Sequence, residues 1–266
     1  MFFWEAGASV VQNVGILPKV FILGLIGLAM GFGRWRVFLR SLGNRIGWKK
    51  EVMIYLSGFA AIPSFFKFSD GLRLVYLKGE GVNMPDAVSV MGMERLTDIV
   101  MTSVMLLLVM GRSTGALGVL GLVALGLVGL KTRSFWFEKL NRFEKVKRVE
   151  EAVEATLQSL KRLGRPEIML GALGFTLGMY VFQLMALAAA VGTGPLQVLG
   201  GYLVGWLTIT LAPTPAGIGF YEATVSATLA GVAGAAAGLG AVLVFRFVVL
   251  WLPVVLGQIS VALMRG

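Results

Sequence analysis

The stretch LQVLGGYLVGWLTITLAPTPAGIGFYEATVSATLAGV, residues 196–232, is apolar at both ends and is broken in the middle by two prolines and two glycines. The run before the break, residues 196–212, is shorter than the ~20 residues that cross a bilayer as a helix. Residues 213–219 prevent a continuous helix. Irregular backbone at membrane depth requires protein or a watery cavity around it, so the stretch predicts a re-entrant hairpin. Residues 52–66 are similarly short and predict a second hairpin.

The composition indicates an all-α, polytopic membrane helix bundle. Of the 266 residues, 57% are apolar and 14% are charged, against about 45–50% and about 25% in soluble domains. Cysteine and histidine are absent, which argues against disulfides, thiol chemistry and imidazole metal sites. The net charge of +10 is explained by basic cytoplasmic loops, so no nucleic-acid partner is expected. We expect no cofactor.

Two basic stretches, residues 34–50 and 131–165, should face the cytoplasm by the positive-inside rule. The predicted spans are residues 19–32, 96–110, 117–130, 168–191 and 235–264. This arrangement places the C-terminus in the cytoplasm, as a multi-pass protein of a prokaryotic cell membrane. Residues 135–163 have apolar side chains at steps of three and four, which predicts an amphipathic helix. It is expected to link two halves, or else to act as a gate or as an anchor to anionic headgroups.

The two halves contain matching landmarks at a nearly constant offset. Residues 61–64 match residues 211–214, Arg73 matches Glu222, and residues 93–96 match residues 244–247. Since the second half should enter the membrane from the opposite side, the matches predict an inverted repeat of the kind that many transporters use. The predicted division is a first membrane half (1–134), a cytoplasmic linker (135–165) and a second membrane half (166–266).

Six charged residues lie within or beside apolar segments, where a charge costs about 2.5–3.5 kcal/mol at the centre of a helix. Arg95 and Asp98 could neutralise one another, and Glu222 is the expected partner of Arg246. Any guanidinium left without a carboxylate should bind a phosphate or carboxylate ligand. Gly217 and Gly219 either bring backbone N–H groups close to such an anion or only permit the turn. The predicted substrate-binding residues are Arg73, Arg95, Arg246, Glu94, Asp98, Glu222, Pro213, Pro215, Gly217 and Gly219, with no catalytic or metal-binding residue.

Three elements together resemble the lysylphosphatidylglycerol synthase transmembrane, or flippase-like, family. They are GRWRVFL at 33–39, ERLTD at 94–98 and PTPAGIGFYE at 213–222, where Ala216 stands in place of the glycine usual in that family. The resemblance implies a stand-alone membrane domain, without the aminoacyl-transferase domain, that moves lipids between leaflets. It implies an anionic phospholipid or a polyprenyl-phosphate-linked lipid as partner.

The expected function is therefore that of a lipid translocator, a flippase or scramblase with a midplane cavity, rather than that of an enzyme. No Gly-rich nucleotide loop is present, so movement should be downhill or coupled to an ion gradient. One alternative is a secondary transporter of a small anionic solute. Another is an intramembrane enzyme that acts on a lipid phosphate with Glu222 and Asp98 as acid and base. The headgroup, the direction and the existence of a homodimer are left open.

Overall fold

The computed structural model describes residues 14–62, 69–110, 144–211 and 214–265. Every regular element in these ranges is helical, which confirms the all-α prediction. The helices are α1 (Leu17–Ser41), α2 (Trp48–Ala60), α3 (Ser69–Gly79), α4 (Met84–Met110), α5 (Glu144–Leu163), α6 (Pro166–Val191), α7 (Pro195–Leu211), α8 (Phe220–Ala233), α9 (Ala235–Arg246) and α10 (Leu252–Arg265). Short turns occupy Val14–Ile16 and Pro215–Gly217, and a π-helical turn at Phe247–Trp251 joins α9 to α10.

Three helices in the described ranges are long and apolar enough to cross a membrane: α1, α6 and the continuous helix Ala235–Arg265 formed by α9 and α10. A fourth long helix, α4, has 27 residues and carries Glu94 and Arg95 just before the span predicted at 96–110 and Asp98 within it. The predicted span at 117–130 and the first part of the linker lie outside the described residues.

Buried apolar side chains of the described residues form two cores. One includes Tyr180, Tyr202 and Leu229 from α6, α7 and α8. The other includes Trp35 of α1 and Leu77 of α3. The cores therefore join helices from both halves of the sequence, since α6 residues take part in each.

The first span is longer than predicted. The predicted span ends at Phe32 and the following arginines are predicted in a loop, whereas α1 continues to Ser41. Arg34 is consequently on a helix and only 5% exposed. The helix continues because nothing in residues 33–41 breaks it and because the Arg34 guanidinium finds carboxylate partners on another helix.

Both predicted breaks in the apolar stretches are present as helix interruptions. The chain leaves α2 at Ala60 and resumes at Ser69, and it leaves α7 at Leu211 and resumes at Phe220. Residues 63–68 and 212–213, which include Pro213, lie outside the described residues. The re-entrant course of each segment through a membrane stays a prediction.

The order of helices in the first half recurs in the second. Helices α1 to α4 have 25, 13, 11 and 27 residues, and α6, α7, α8 and the continuous α9–α10 helix have 26, 17, 14 and 31. In each set, the interruption in the apolar stretch lies between the second and the third helix. The inversion of one set relative to the other stays a prediction.

The amphipathic helix α5 is attached to the beginning of α4. The Ser159 hydroxyl donates to Asp86 Oδ1 at 2.6 Å, and the Ser89 hydroxyl donates to the Thr156 carbonyl at 3.0 Å. Leu163 at the end of α5 is fully buried. Contacts with α4 therefore fix the described part of the linker to the first half.

Candidate functional site

Charged side chains form two buried groups between the helices. The first ion cluster consists of Arg34 on α1, Arg73 on α3, and Glu94 and Asp98 on α4. The second ion cluster consists of Glu222 on α8 and Arg246 on α9. Five of these residues are 8% exposed or less, and the Glu222 side chain is 17% exposed. Each cluster links helices that are separated by a break or a loop in the chain.

In the first ion cluster, two guanidinium groups face two carboxylates. Arg34 donates a hydrogen bond to Asp98 Oδ1, and its Nη2 lies 3.6 Å from Glu94 Oε1. Arg73 Nη1 donates to Glu94 Oε2 at 2.9 Å. Glu94 thus lies between the two arginines, and the four formal charges cancel.

Hydroxyl groups also bind Arg34 and Asp98, although the buried Nε of Arg34 has no hydrogen-bond partner among the described residues. Thr176 Oγ1 on α6 accepts from Arg34 Nη1 at 3.3 Å, and Thr97, which is fully buried, accepts at 3.4 Å. The Tyr180 hydroxyl donates to the Asp98 carbonyl at 3.3 Å. The first ion cluster therefore also connects α6, from the second half, to α1 and α4.

The position of Arg73 depends on a glycine of α2. Its Nε donates to the Tyr55 carbonyl at 3.1 Å, and its guanidinium lies 4.6 Å from the centroid of the Tyr55 ring, within cation–π range. A Cβ atom at Gly58 would come within 2.2 Å of Arg73 Nε. Only a residue without a side chain leaves room for this arginine against α2.

In the second ion cluster, Glu222 has two roles. Its Oε1 accepts from Arg246 Nε at 2.7 Å, and its Oε2 accepts from the backbone N–H of Gly219 at 2.7 Å. The second bond caps the first turn of α8, where backbone N–H groups lack helical partners. The predicted partnership of Glu222 with Arg246 is confirmed.

Arg246 also binds the interrupted segment directly. Its Nη2 donates to the Ala216 carbonyl at 2.9 Å, and its guanidinium lies 4.5 Å from the centroid of the Tyr221 ring. One side chain thus fixes both the turn that precedes α8 and the first residues of α8.

The chain matches the protein-family model described as "Lysylphosphatidylglycerol synthase TM region" over residues 3–257. The match covers nearly the whole sequence. The chain belongs to the lysylphosphatidylglycerol synthase TM family. No curated protein and no solved structure matches it. As a member of this family, the protein is a membrane protein, in agreement with its apolar helices.

The carboxylate that could have paired with Arg95 has a different partner in the structure. Asp98, which could have paired with Arg95 three residues before it, binds Arg34 instead. Arg95 lies on an exposed face of α4. Arg34 reaches the carboxylate of Asp98 from α1, in the protein interior. Arg95 lies on the opposite, exposed side.

Among the described residues, neither ion cluster has a surplus of guanidinium charge. Their three arginines face three carboxylates, so a phosphate that bound there would compete with a carboxylate for guanidinium donors. Pro215, Gly217 and Gly219 lie in the turn that Arg246 and Glu222 bind. Within the described ranges, no group of three or more acidic side chains converges as a metal site requires.

Sequence reasoning missed Arg34 as a site residue. The arginine belongs to the motif at 33–39, but five further basic residues follow it within residues 36–50, and together they are typical of a cytoplasmic loop. A helical projection would have provided the signal, because Arg34 lies three residues after the buried Gly31 and four before the buried Phe38.

Ala216 adopts a left-handed backbone conformation, with φ 49°, which costs an alanine about 1–2 kcal/mol relative to glycine. We expect Ala216→Gly to raise the free energy of unfolding by about 0.5–1 kcal/mol, since glycine's greater freedom in the unfolded chain offsets part of the relief. Thermal unfolding in detergent would measure the change. The control is Ala223→Gly, in the helical part of α8, which should lower stability by about 1 kcal/mol. If Ala216→Gly and Ala223→Gly lowered the free energy of unfolding equally, the conclusion that the backbone of Ala216 is strained would be contradicted.

Proposed function

We propose that this family member is a lipid translocator, a flippase or scramblase that passes an anionic headgroup between the leaflets of a prokaryotic cell membrane. The observation that supports the proposal is the pair of buried ion clusters between helices of a membrane protein. A buried ion pair is usually no more stabilising than apolar side chains of the same volume. Ionisable groups among membrane helices commonly mark a substrate or ion pathway.

The chemistry of the proposal is exchange of one anion for another. A phosphate offers a guanidinium the same two-point hydrogen bonding as a carboxylate. A lipid phosphate that reaches Arg246 or Arg73 would replace Glu222 or Glu94, while the lipid tails stay in the bilayer. The displaced carboxylate would accept hydrogen bonds from water. Exchange avoids leaving a guanidinium unpaired at any stage, which would be costly inside the protein.

Displacement at the second ion cluster would also alter the interrupted segment. Glu222 and Arg246 between them bind the Gly219 N–H and the Ala216 carbonyl. When Arg246 turns toward a phosphate, the turn before α8 loses a contact that fixes it. Arrival of a headgroup is therefore coupled to opening of the interrupted segment, a movement that a translocation cycle requires.

The proposal is tested by lipid movement in liposomes that contain the purified protein. A fluorescent analogue of phosphatidylglycerol is placed in both leaflets, and a membrane-impermeant reductant quenches the outer fraction. We expect fluorescence to fall well below the half that protein-free liposomes retain, because inner-leaflet lipid reaches the reductant. No acceleration over protein-free liposomes with any anionic lipid, polyprenyl phosphates included, would contradict the proposal.

The same liposomes distinguish transport from other activities. As a translocator rather than an enzyme, the protein should leave the extracted lipid unchanged in mass. A change in lipid mass that depends on Glu222 would favour the enzyme, and uptake of a soluble anion without lipid movement would favour the solute transporter.

A further inference from the structure

A third charged group lies at the end of α1, where the chain turns into α2. It consists of Arg36 and Arg40 in the last turns of α1 and Trp48 and Glu51 in the first turn of α2, and is called the terminal arginine site. Glu51 is fully buried, whereas the arginine side chains are 31% and 48% exposed. The group therefore has a buried anion and an open cationic face.

The two arginines share a single carboxylate. Arg36 Nε lies 2.9 Å from Glu51 Oε2, and Arg40 Nε and Nη2 lie 3.3 and 3.5 Å from the Glu51 oxygens. One carboxylate cannot neutralise two guanidinium groups, so the site has a formal charge of +1. This distinguishes it from the two ion clusters, in which the charges cancel.

An exposed aromatic ring borders the cationic face. The Arg36 guanidinium lies 5.2 Å from the centroid of the Trp48 ring, and Trp48 is 56% exposed. Tryptophan is enriched at the depth of lipid headgroups, where an apolar ring and a polar edge are both satisfied. Arg36 and Arg40 end a helix that can span a membrane, which places the site at the same depth.

We propose that the terminal arginine site binds the phosphate of an anionic glycerophospholipid at the membrane interface. The exposed guanidinium groups would supply donors to the phosphate, and the Trp48 ring would cover the glycerol region. Arg45 and Lys49, both exposed nearby in the chain, add to the attraction of an anionic surface. A soluble phosphate would gain nothing from Trp48, which favours a lipid as the ligand. This inference concerns binding at the interface and does not depend on translocation.

The test measures lipid binding to purified protein by native mass spectrometry with added phosphatidylglycerol. We expect the double variant Arg36→Gln/Arg40→Gln to bind at least tenfold less phosphatidylglycerol than the wild type, and Trp48→Leu to bind a few-fold less. The control Lys161→Gln removes an exposed charge on α5 and should bind like the wild type. Equal binding by the double variant and this control would overturn the proposal.

Glu51→Gln tests the proposal with a substitution that is expected to increase lipid binding rather than decrease it. Glutamine removes the anion that competes with the phosphate, so affinity for phosphatidylglycerol should rise several-fold. If the site only joined α1 to α2, binding would stay the same or fall with stability. Should Glu51→Gln fail to fold, Trp48→Leu decides the matter, because Trp48 is exposed and its replacement leaves the Glu51 ion pairs in place; binding by Trp48→Leu equal to that of the wild type would then overturn the proposal.

A third measurement separates the sources of the phosphate. Inorganic phosphate at millimolar concentration should not displace bound phosphatidylglycerol, and zwitterionic phosphatidylcholine should bind at least tenfold more weakly. If inorganic phosphate displaced bound phosphatidylglycerol at the concentration at which added lipid does so, the assignment to a lipid headgroup would be overturned.

Discussion

Replacing Glu222 by glutamine is expected to lower the free energy of unfolding by about 3 kcal/mol, the lower end of the loss seen when one partner of a buried ion pair is removed. Arg246, which is 4% exposed, would then keep its charge without a carboxylate. Glutamine can still accept the Gly219 N–H, so loss of the helix cap does not explain the effect. The lower end applies because the Glu222 side chain is 17% exposed.

Chemical or thermal unfolding in detergent would measure the loss at Glu222. The matched control is Glu80→Gln, which removes a carboxylate from a pair with Lys50 at 2.7 Å whose side chains are 28% and 58% exposed. An exposed pair contributes about 0–1 kcal/mol. The interpretation of the second ion cluster would be contradicted if the two substitutions had the same effect.

Arg34→Gln is expected to lower the free energy of unfolding by about 3–5 kcal/mol, for the same reason at the more deeply buried cluster. The substitution leaves Glu94 and Asp98 on one face of α4, with Arg73 as the guanidinium that remains in the cluster. Two carboxylates at such close range repel, and the one guanidinium of Arg73 cannot neutralise both.

A second substitution, at Asp98, tests whether the loss of stability in Arg34→Gln comes from the interaction between these two residues. Adding Asp98→Asn to Arg34→Gln restores equal numbers of positive and negative charges in the first ion cluster. The double variant should therefore be at least about 1 kcal/mol more stable than additive losses predict, which is the interaction energy that a double-mutant cycle measures. Additive losses would show that Arg34 and Asp98 act independently, contrary to their hydrogen bonds.

The features of the fold that depend on composition or on neighbouring residues could be predicted from the sequence. Apolar composition determined the helical membrane class, and the prolines and glycines of residues 213–219 determined the position of one helix break. The pairing of Glu222 with Arg246 was predictable because few isolated charges occur in the second half, and a buried charge needs an opposite one.

The first ion cluster was less predictable because its partners are distant in sequence. Asp98 had a candidate three residues away in Arg95, yet it binds Arg34, which lies 64 residues away. The direction in which a side chain points depends on how α1, α4 and α6 pack. Neither charge spacing nor hydropathy contains that information.

The presence of a carboxylate beside every arginine of the two ion clusters changes the mechanism that a surplus guanidinium would have suggested. A free guanidinium awaiting an anion would have made binding a simple association. With each guanidinium facing a carboxylate, the binding that we propose is an exchange, and the carboxylates determine which ligands can compete. A strong acid such as a phosphate diester competes better than a neutral polar group.

The most direct test is lipid movement by the double variant Arg246→Met/Glu222→Gln. It removes both charges of the second ion cluster while glutamine can still cap the Gly219 N–H, so stability should stay within about 1 kcal/mol of the wild type. The control Lys50→Gln/Glu80→Gln removes an exposed pair and should transport normally. We predict that the folded Arg246→Met/Glu222→Gln protein no longer moves fluorescent phosphatidylglycerol between leaflets. Movement at the wild-type rate would contradict the account, because the buried charges would then serve only the fold.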